Sequence, residues 1–227
     1  MPIFKAKNEN FFKVWTPEMA YVLGFFTADG NMIKNKRGAH FISIEITDRD
    51  ILEEMKRVIG SNHNIGLRER SFPQKTAYRL QIGSKEMFNN LLELGLTPNK
   101  SKSIQLPKVP DRHFPHFVRG YFDGDGSISY GLYKRKDRKS KKFVLLSSFT
   151  SGNKIFLHSL LKALKKLANI EGGSIYEKTR GFQMNLSVQD SKKLFRFMYS
   201  NISEGLLLER KYNKFERGLK LLKSHIS

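Results

Sequence analysis

The chain is expected to fold as an α+β protein made by pseudo-twofold duplication, with two αββαββα half-domains whose leading helices pack together at the centre. Three observations predict this. The segment Val22-Leu23-Gly24-Phe25-Phe26-Thr27-Ala28-Asp29-Gly30 recurs as Val118-Arg119-Gly120-Tyr121-Phe122-Asp123-Gly124-Asp125-Gly126. The aspartates that end the two copies lie 96 positions apart (125 − 29 = 96), close to half of the 227 residues. After each copy, stretches of period-two and helical apolar spacing follow in the same order.

The first helix is expected over Pro17–Ala28. Thr16 offers an N-cap, Pro17 suits the first turn, and Glu18 places an early acid there. Gly24 and Ala28 share one face, since residues four apart are helix neighbours. Glycine inside a helix costs about 1 kcal/mol relative to alanine, so its presence points to a close helix–helix crossing. Gly30 stands where glycine commonly ends a helix. Ile42, Ile44 and Ile46 then alternate with Ser43 and Glu45, and Tyr78, Leu80 and Ile82 alternate with Arg79 and Gln81. Such strands turn an apolar face to helices and a polar face elsewhere. Helices are expected over Asp50–Ile59 and Lys85–Leu94.

The second half repeats the plan. Helices are expected over Pro115–Gly124, Asn153–Leu167 and Ser191–Tyr199, and Met184, Leu186 and Val188 alternate with Gln183, Asn185 and Ser187. Leu80, Ile82, Phe88, Leu91 and Leu92 match Leu186, Val188, Leu194, Phe197 and Met198 at a constant offset of 106 (186 − 80 = 106). Gln105-Leu106-Pro107-Lys108-Val109-Pro110-Asp111 is proline-bearing and reads as a connector. The expected organisation is therefore residues 1–104, a linker over 105–111, and residues 112–227. The tail from Glu209 to Ser227 reads as a basic amphipathic helix with Tyr212, Phe215, Leu219 and Leu222 on one face, packed on the body.

Composition narrows the partner. Hydrophobic residues make up 39% of the chain, enough for a sizeable core. It has no cysteine, so disulfides and thiolate metal sites are excluded, and no apolar run long enough for a membrane is seen. The net charge of +20 points to a polyanion, and nucleic acid above all. That charge is uneven: +6 over residues 1–110 (17 basic, 11 acidic) and +14 over 111–227 (24 basic, 10 acidic). Residues 133–142 carry seven basic side chains in ten, among them Lys134, Arg135, Arg138 and Lys139, and Lys34, Lys36 and Arg37 occupy the matching turn of the first half. The six histidines show no metal-ligand spacing, and His113 and His116, beside a helix start, read as structural.

If the two repeated helices pack side by side, Asp29 and Asp125 enter one small volume. Paired carboxylates repel unless a cation lies between them or one takes up a proton. Oxygen-only ligation by few carboxylates suits Mg²⁺, which keeps waters and shares substrate phosphates.

The two segments resemble the motif of the LAGLIDADG homing endonucleases, in the single-chain form with two copies. The second copy matches closely. The first departs at Thr27, where an acid is common, but both copies keep the final Asp-Gly. The resemblance implies two antiparallel sheets forming one DNA-binding saddle and a monomer acting on double-stranded DNA. It implies a metal-dependent double-strand break with 3′ overhangs in a long asymmetric site. It further implies Mg²⁺ as cofactor, with Mn²⁺ or Ca²⁺ able to substitute for binding, held at Asp29 and Asp125 with Ala28 and Gly124 beside them. Lys100 and Lys211 take equivalent catalytic places after the third helix of each half, with Lys102 as the alternative to Lys100. Asp48 and Ser151, at matching strand ends, resemble positions that hold solvent near the metals. The DNA-contacting surface would comprise Ser43, Glu45, Arg68, Arg70, Arg79 and Gln81 on one side, and Lys178, Arg180, Gln183, Asn185 and Ser187 on the other. A different class stays open on the same scaffold: a cleavage-inactive or dual-function intron maturase, or a nucleic-acid-binding protein, with intron RNA as partner. Retention of both aspartates favours the nuclease.

Overall fold

A computed structural model describes residues 5–71, 75–99, 102–134, 141–200, 202 and 205–225. The first half runs α1 (Pro17–Asp29), β1 (Gly30–Lys34), β2 (His40–Ile46), α2 (Arg49–Val58), β3 (Ile65–Arg68), β4 (Ala77–Gly83) and α3 (Lys85–Glu93). After a single 3₁₀ turn at Asp111–His113, the second runs α4 (Phe114–Asp125), β5 (Gly126–Lys134), β6 (Lys141–Ser151), α5 (Lys154–Leu167), β7 (Ser174–Lys178), β8 (Gly181–Leu186) and α6 (Val188–Tyr199). An additional helix, α7 (Glu209–Ser224), follows. Each half holds one antiparallel sheet, ordered β1-β2-β4-β3 and β5-β6-β8-β7. The expected duplication is thus present element by element, with α7 added to the second copy.

The repeated helices make the centre. Thr16 caps α1 by accepting from the Met19 amide at 3.1 Å, and Pro17 opens its first turn. Every residue from Met19 to Thr27 is buried, so α1 has no solvent face and forms the inner layer with α4. Gly24 and Gly120 face each other reciprocally. A Cβ on Gly24 would lie 2.9 Å from the Tyr121 backbone nitrogen and closer still to the Phe117 carbonyl oxygen. One on Gly120 would lie 2.9 Å from the Phe25 nitrogen and closer still to the Tyr21 carbonyl oxygen. Side chains are absent here because backbone fills the space.

Gly30 ends α1 where a glycine was expected to, and Gly126 does the same for α4, but neither takes the left-handed conformation. Both have extended backbone, φ −74° and −86°, and a Cβ at either would strike the ring of Phe26 or Phe122. Glycine here makes room for an aromatic ring, and the chain passes from helix directly into strand.

Register corrects the expected offset. Gly30 pairs with Ile44 and Ile44 with Leu80, while Gly126 pairs with Phe149 and Phe149 with Met184. Leu80 therefore matches Met184 (184 − 80 = 104), two residues from the expected Leu186. In the helices, Leu92 is 41% exposed whereas Met198 is buried, so those two are not equivalent. Val188, expected in a strand, starts α6 instead. That early start is tied to the sheet by the Ser191 hydroxyl, which accepts from the Ser147 amide at 3.1 Å and donates to the Leu186 carbonyl at 3.1 Å. The tail helix packs on the body as expected, with Phe215 and Leu222 buried. Among the described residues, no helix is long and apolar enough to cross a membrane.

Candidate functional site

Because α1 and α4 cross at their glycines and end together, their last residues meet. A Cβ on Gly124 would lie 3.2 Å from Asp29 Oδ2, so the carboxylate of one half stands against the helix end of the other. The Tyr121 phenol feels both aspartates: burial pushes its pKa well up, and Asp125 and Asp29 add to the rise. Asp29 and Asp125 are thus brought together where the two sheets begin.

Lys211 lies beside them, on the first turn of α7. Its ammonium donates to three backbone carbonyls at the end of α4: Phe122 at 2.9 Å, Gly124 at 2.9 Å and Gly126 at 2.7 Å. All three donors of the lysine are spent on a helix C-terminus, where cations offset the dipole. Burial lowers its pKa to about 8, against the opposing pull of Asp123. The Gly124 carbonyl consequently faces Lys211. Lys100 lies outside the described residues.

A second polar cluster supports this corner. Asp123, fully buried, accepts from the Tyr21 hydroxyl at 2.7 Å and from the Leu208 amide at 2.8 Å. Burial raises its pKa to about 6, although both donors oppose the rise. One carboxylate thereby joins the motif helix of the first half to the start of α7. Arg119, also buried, donates to the Leu206 and Met198 carbonyls, both at 2.8 Å. At the position matching Asp123, Thr27 donates only to its own helix, to the Leu23 carbonyl at 2.7 Å. His116 and His113 are framework groups. Burial, reinforced by Arg119, lowers the His116 pKa to about 4, and the buried His113 ring stacks on Trp15.

The expected interface residues largely share the outer faces of the sheets. Directly opposed residues of antiparallel strands point the same way. Ser43 opposes Gln81, Glu45 opposes Arg79, and Arg68 opposes Ala77, which places these polar groups on one face. Arg79 reaches Ser43 at 3.4 Å, and Arg70 forms an ion pair with Glu45. In the second sheet, Gln183 donates to Asn185 at 2.7 Å, and Asn185 to the Tyr176 hydroxyl at 2.8 Å. Lys178 ends β7, Arg180 lies in the β7–β8 turn, and Ser187 lies past the end of β8 at the N-cap position of α6. Lys34 ends β1, Lys36 and Arg37 sit in the following turn, and Lys134 ends β5. Arg135, Arg138 and Lys139 lie outside the described residues.

On the strands that leave the aspartates, the expected surface takes in only the far ends, Lys34 and Lys134, and omits the residues nearer the centre. Asn31 opposes Ser43, and Ser127 opposes Ser148 at an Oγ–Oγ distance of 2.7 Å; on the edge strand β7, Tyr176, which opposes Gln183, is omitted as well. Alternation in Asn31-Met32 and Ser127-Ile128-Ser129 carries the signal, but each run follows the helical motif without a break.

Asp48 and Ser151 are not structural equivalents. Ile46 matches Ser151 through the same register, and Asp48 matches Asn153, each at the N-cap of the helix after its strand. Both carboxylate oxygens of Asp48 share the single Nε–H of Arg210, at 2.8 and 2.9 Å, bridging the halves. Ser151 is buried and accepts from the Asn153 amide at 3.1 Å.

Comparisons with known proteins agree with this architecture. Residues 118–222 match the family model described as LAGLIDADG endonuclease, and residues 16–94 match that of the LAGLIDADG-like domain. The uncharacterized protein MJ0398 of Methanocaldococcus jannaschii is 23% identical over 217 residues, covering 92% of this chain and 74% of the relative. Among solved structures, the LAGLIDADG meganuclease I-AabMI bound to uncleaved DNA superposes with a TM-score of 0.65 at 15% identity, covering 94% of both chains. Meganuclease I-SmaMI bound to uncleaveable DNA gives 0.61 at 17%, covering 92% of this chain and 90% of the other. With two copies of the motif, two matched models and one paired pair of helix-end aspartates, this chain belongs to the LAGLIDADG endonuclease family.

Proposed function

We propose that the protein is a site-specific homing endonuclease that needs a divalent cation, makes a double-strand break with 3′ overhangs in a long asymmetric DNA site, and works as a monomer. The observation that carries this reading is the meeting of Asp29 and Asp125, one from each half, at the ends of abutting helices from which both polar sheet faces extend. I-AabMI bound to uncleaved DNA and I-SmaMI bound to cleaved DNA support duplex DNA as the partner.

The donor set fits a hard cation. Asp29 and Asp125 supply carboxylate oxygens, and the Ala28 carbonyl lies at the same helix end as Asp29. Among the described residues no group of three or more histidines, aspartates or glutamates could hold a metal. Such a sparse all-oxygen set matches Mg²⁺, with Mn²⁺ or Ca²⁺ as substitutes, because these ions accept oxygen from water and phosphate. When bound, the cation supplies Lewis-acid activation of water and charge neutralisation at the phosphate.

The chain's own residues do the rest. The sheet faces orient the duplex, and a β-ribbon fits the major groove, where base edges present distinct donor and acceptor patterns. Lys211 holds the end of α4, fixing the direction of Asp125. Because the halves differ in sequence, the two half-sites they read differ as well.

The test is cleavage of a randomised duplex library with Mg²⁺ by the parent chain and by Asp29→Asn/Asp125→Asn. Ends recovered only with the parent chain are expected, with the double variant still retaining the same duplexes. Cleavage by the double variant would overturn the assignment. Retention of a folded intron RNA, with no duplex cut or selected, would move the protein to the maturase class.

A further inference from the structure

The second half carries a longer DNA-facing ribbon than the first. β1 and β2 have 5 and 7 residues, whereas β5 and β6 have 9 and 11. β4 pairs with β2 from Phe41 to Ile46, nearly its whole length. β8 pairs with β6 only from Ser147 to Ser151, so the stretch from Lys141 to Leu146 runs past the sheet beside β5 alone. The extension starts at the far end from Asp125, since β5 leaves that residue directly.

This ribbon is braced from behind as far as Phe143, and among the described residues the first half has no helix in the corresponding place. α7 lies across its back: a Cβ on Gly218 would come within 2.6 Å of Tyr130 and 2.9 Å of Leu145, so glycine there lets helix and ribbon touch. Phe143 stacks on His225 with ring centroids 5.0 Å apart, and Leu222 is buried. The helix that begins beside Asp125 with Lys211 therefore ends beneath the outer ribbon. On the opposite face, Tyr133 and Lys142 are paired across the ribbon and continue the row of Ser127, Ser129 and Ser148. Tyr133 is 55% exposed although large and aromatic.

We propose that this braced ribbon lengthens the DNA half-site read by the second half, with Tyr133 and Lys142 contacting its outermost nucleotides. The inference rests on the endonuclease reading above. Four extra residues per strand at about 3.3 Å each reach about 13 Å further, and duplex DNA rises about 3.4 Å per base pair. The longer arm should thus exceed the other by about three to four base pairs. Lysine supplies phosphate contact, and an exposed tyrosine supplies both an apolar face and a hydroxyl donor for sugar or phosphate.

The test is hydroxyl-radical footprinting on a duplex selected from the randomised library, scored outward from the cleavage centre. The parent chain should protect unequal arms. Tyr133→Ala/Lys142→Ala, which alters two exposed side chains, should lose the outermost positions of the long arm while its inner positions and the whole short arm remain protected. Equal arms in the parent, or a long arm unchanged in the variant, would overturn the inference and leave the nuclease assignment standing. Selection of no duplex at all would overturn both.

Discussion

Two kinds of residue give the centre its geometry, and each predicts a measurable cost. At Gly24 and Gly120 the opposing backbone occupies the place of a side chain, so Gly24→Ala must push the helices apart. Overpacking of this kind costs about 3 kcal/mol, and the urea midpoint of the variant should fall accordingly; an unchanged midpoint would mean that the crossing is loose. His116 acts through protonation. Its folded pKa, about 4, lies below the ordinary 6.5 because burial and Arg119 disfavour the charged ring. Between those values the unfolded chain binds the extra proton, so stability falls as pH drops from 6.5 towards 4 and is unaffected above 6.5. His116→Gln should therefore gain thermal stability relative to the parent as pH is lowered from 7 to 5, and parallel melting curves would refute this. The aspartate pair was legible in the sequence because its repeat is local. The three carbonyls around Lys211 were not, since they belong to a helix nearly ninety residues earlier in the chain.

Elements were readable wherever period and caps agreed. α1 begins at the expected proline, and α5 begins one residue after the expected Asn153, which stands at the N-cap with its side chain accepting from the Ile155 amide at 2.8 Å. The offset between β4 and β8 was misjudged by two residues for a physical reason. A shift of two keeps every side chain on its original face, so apolar alternation cannot distinguish the registers; only the pairing with β2 and β6 can. The start of α6 was missed because Val188 continues the strand alternation, whereas the deciding contact is made by Ser191 with the neighbouring strand. α7 joins the body through Phe215, fully buried against Phe122 and Phe195. Phe215→Ala should cost about 3–5 kcal/mol, in line with large-to-small core changes, as read by chemical denaturation. Arg210→Ala, by contrast, removes a bridge to Asp48 from an arginine side chain that is 53% exposed. It should cost no more than about 1 kcal/mol.

For the molecule as a whole, charge and duplication act together. A net charge of +20, weighted to the second half, predicts duplex affinity that falls steeply and linearly in log–log terms as salt rises. Lys142→Ala should reduce that slope by about one if it holds a phosphate; an unchanged slope would place Lys142 off the backbone. The broad plan was legible because a repeated motif constrains topology twice over, and the difference between the halves showed more faintly, as growth of the offset from 96 at the aspartates to 106 further on and as the apolar spacing of the tail helix, without saying which strands were lengthened. The burial of α1 on all sides also bears on how such a chain can be divided. A fragment ending near residue 104 would keep its own sheet against α1 but leave uncovered the face of that helix which packs on α4, and one beginning near residue 112 would present the matching surface of α4. Produced separately, each should aggregate; produced together, they should assemble as a heterodimer. The protein is in that sense an obligate pair whose two members happen to share one polypeptide.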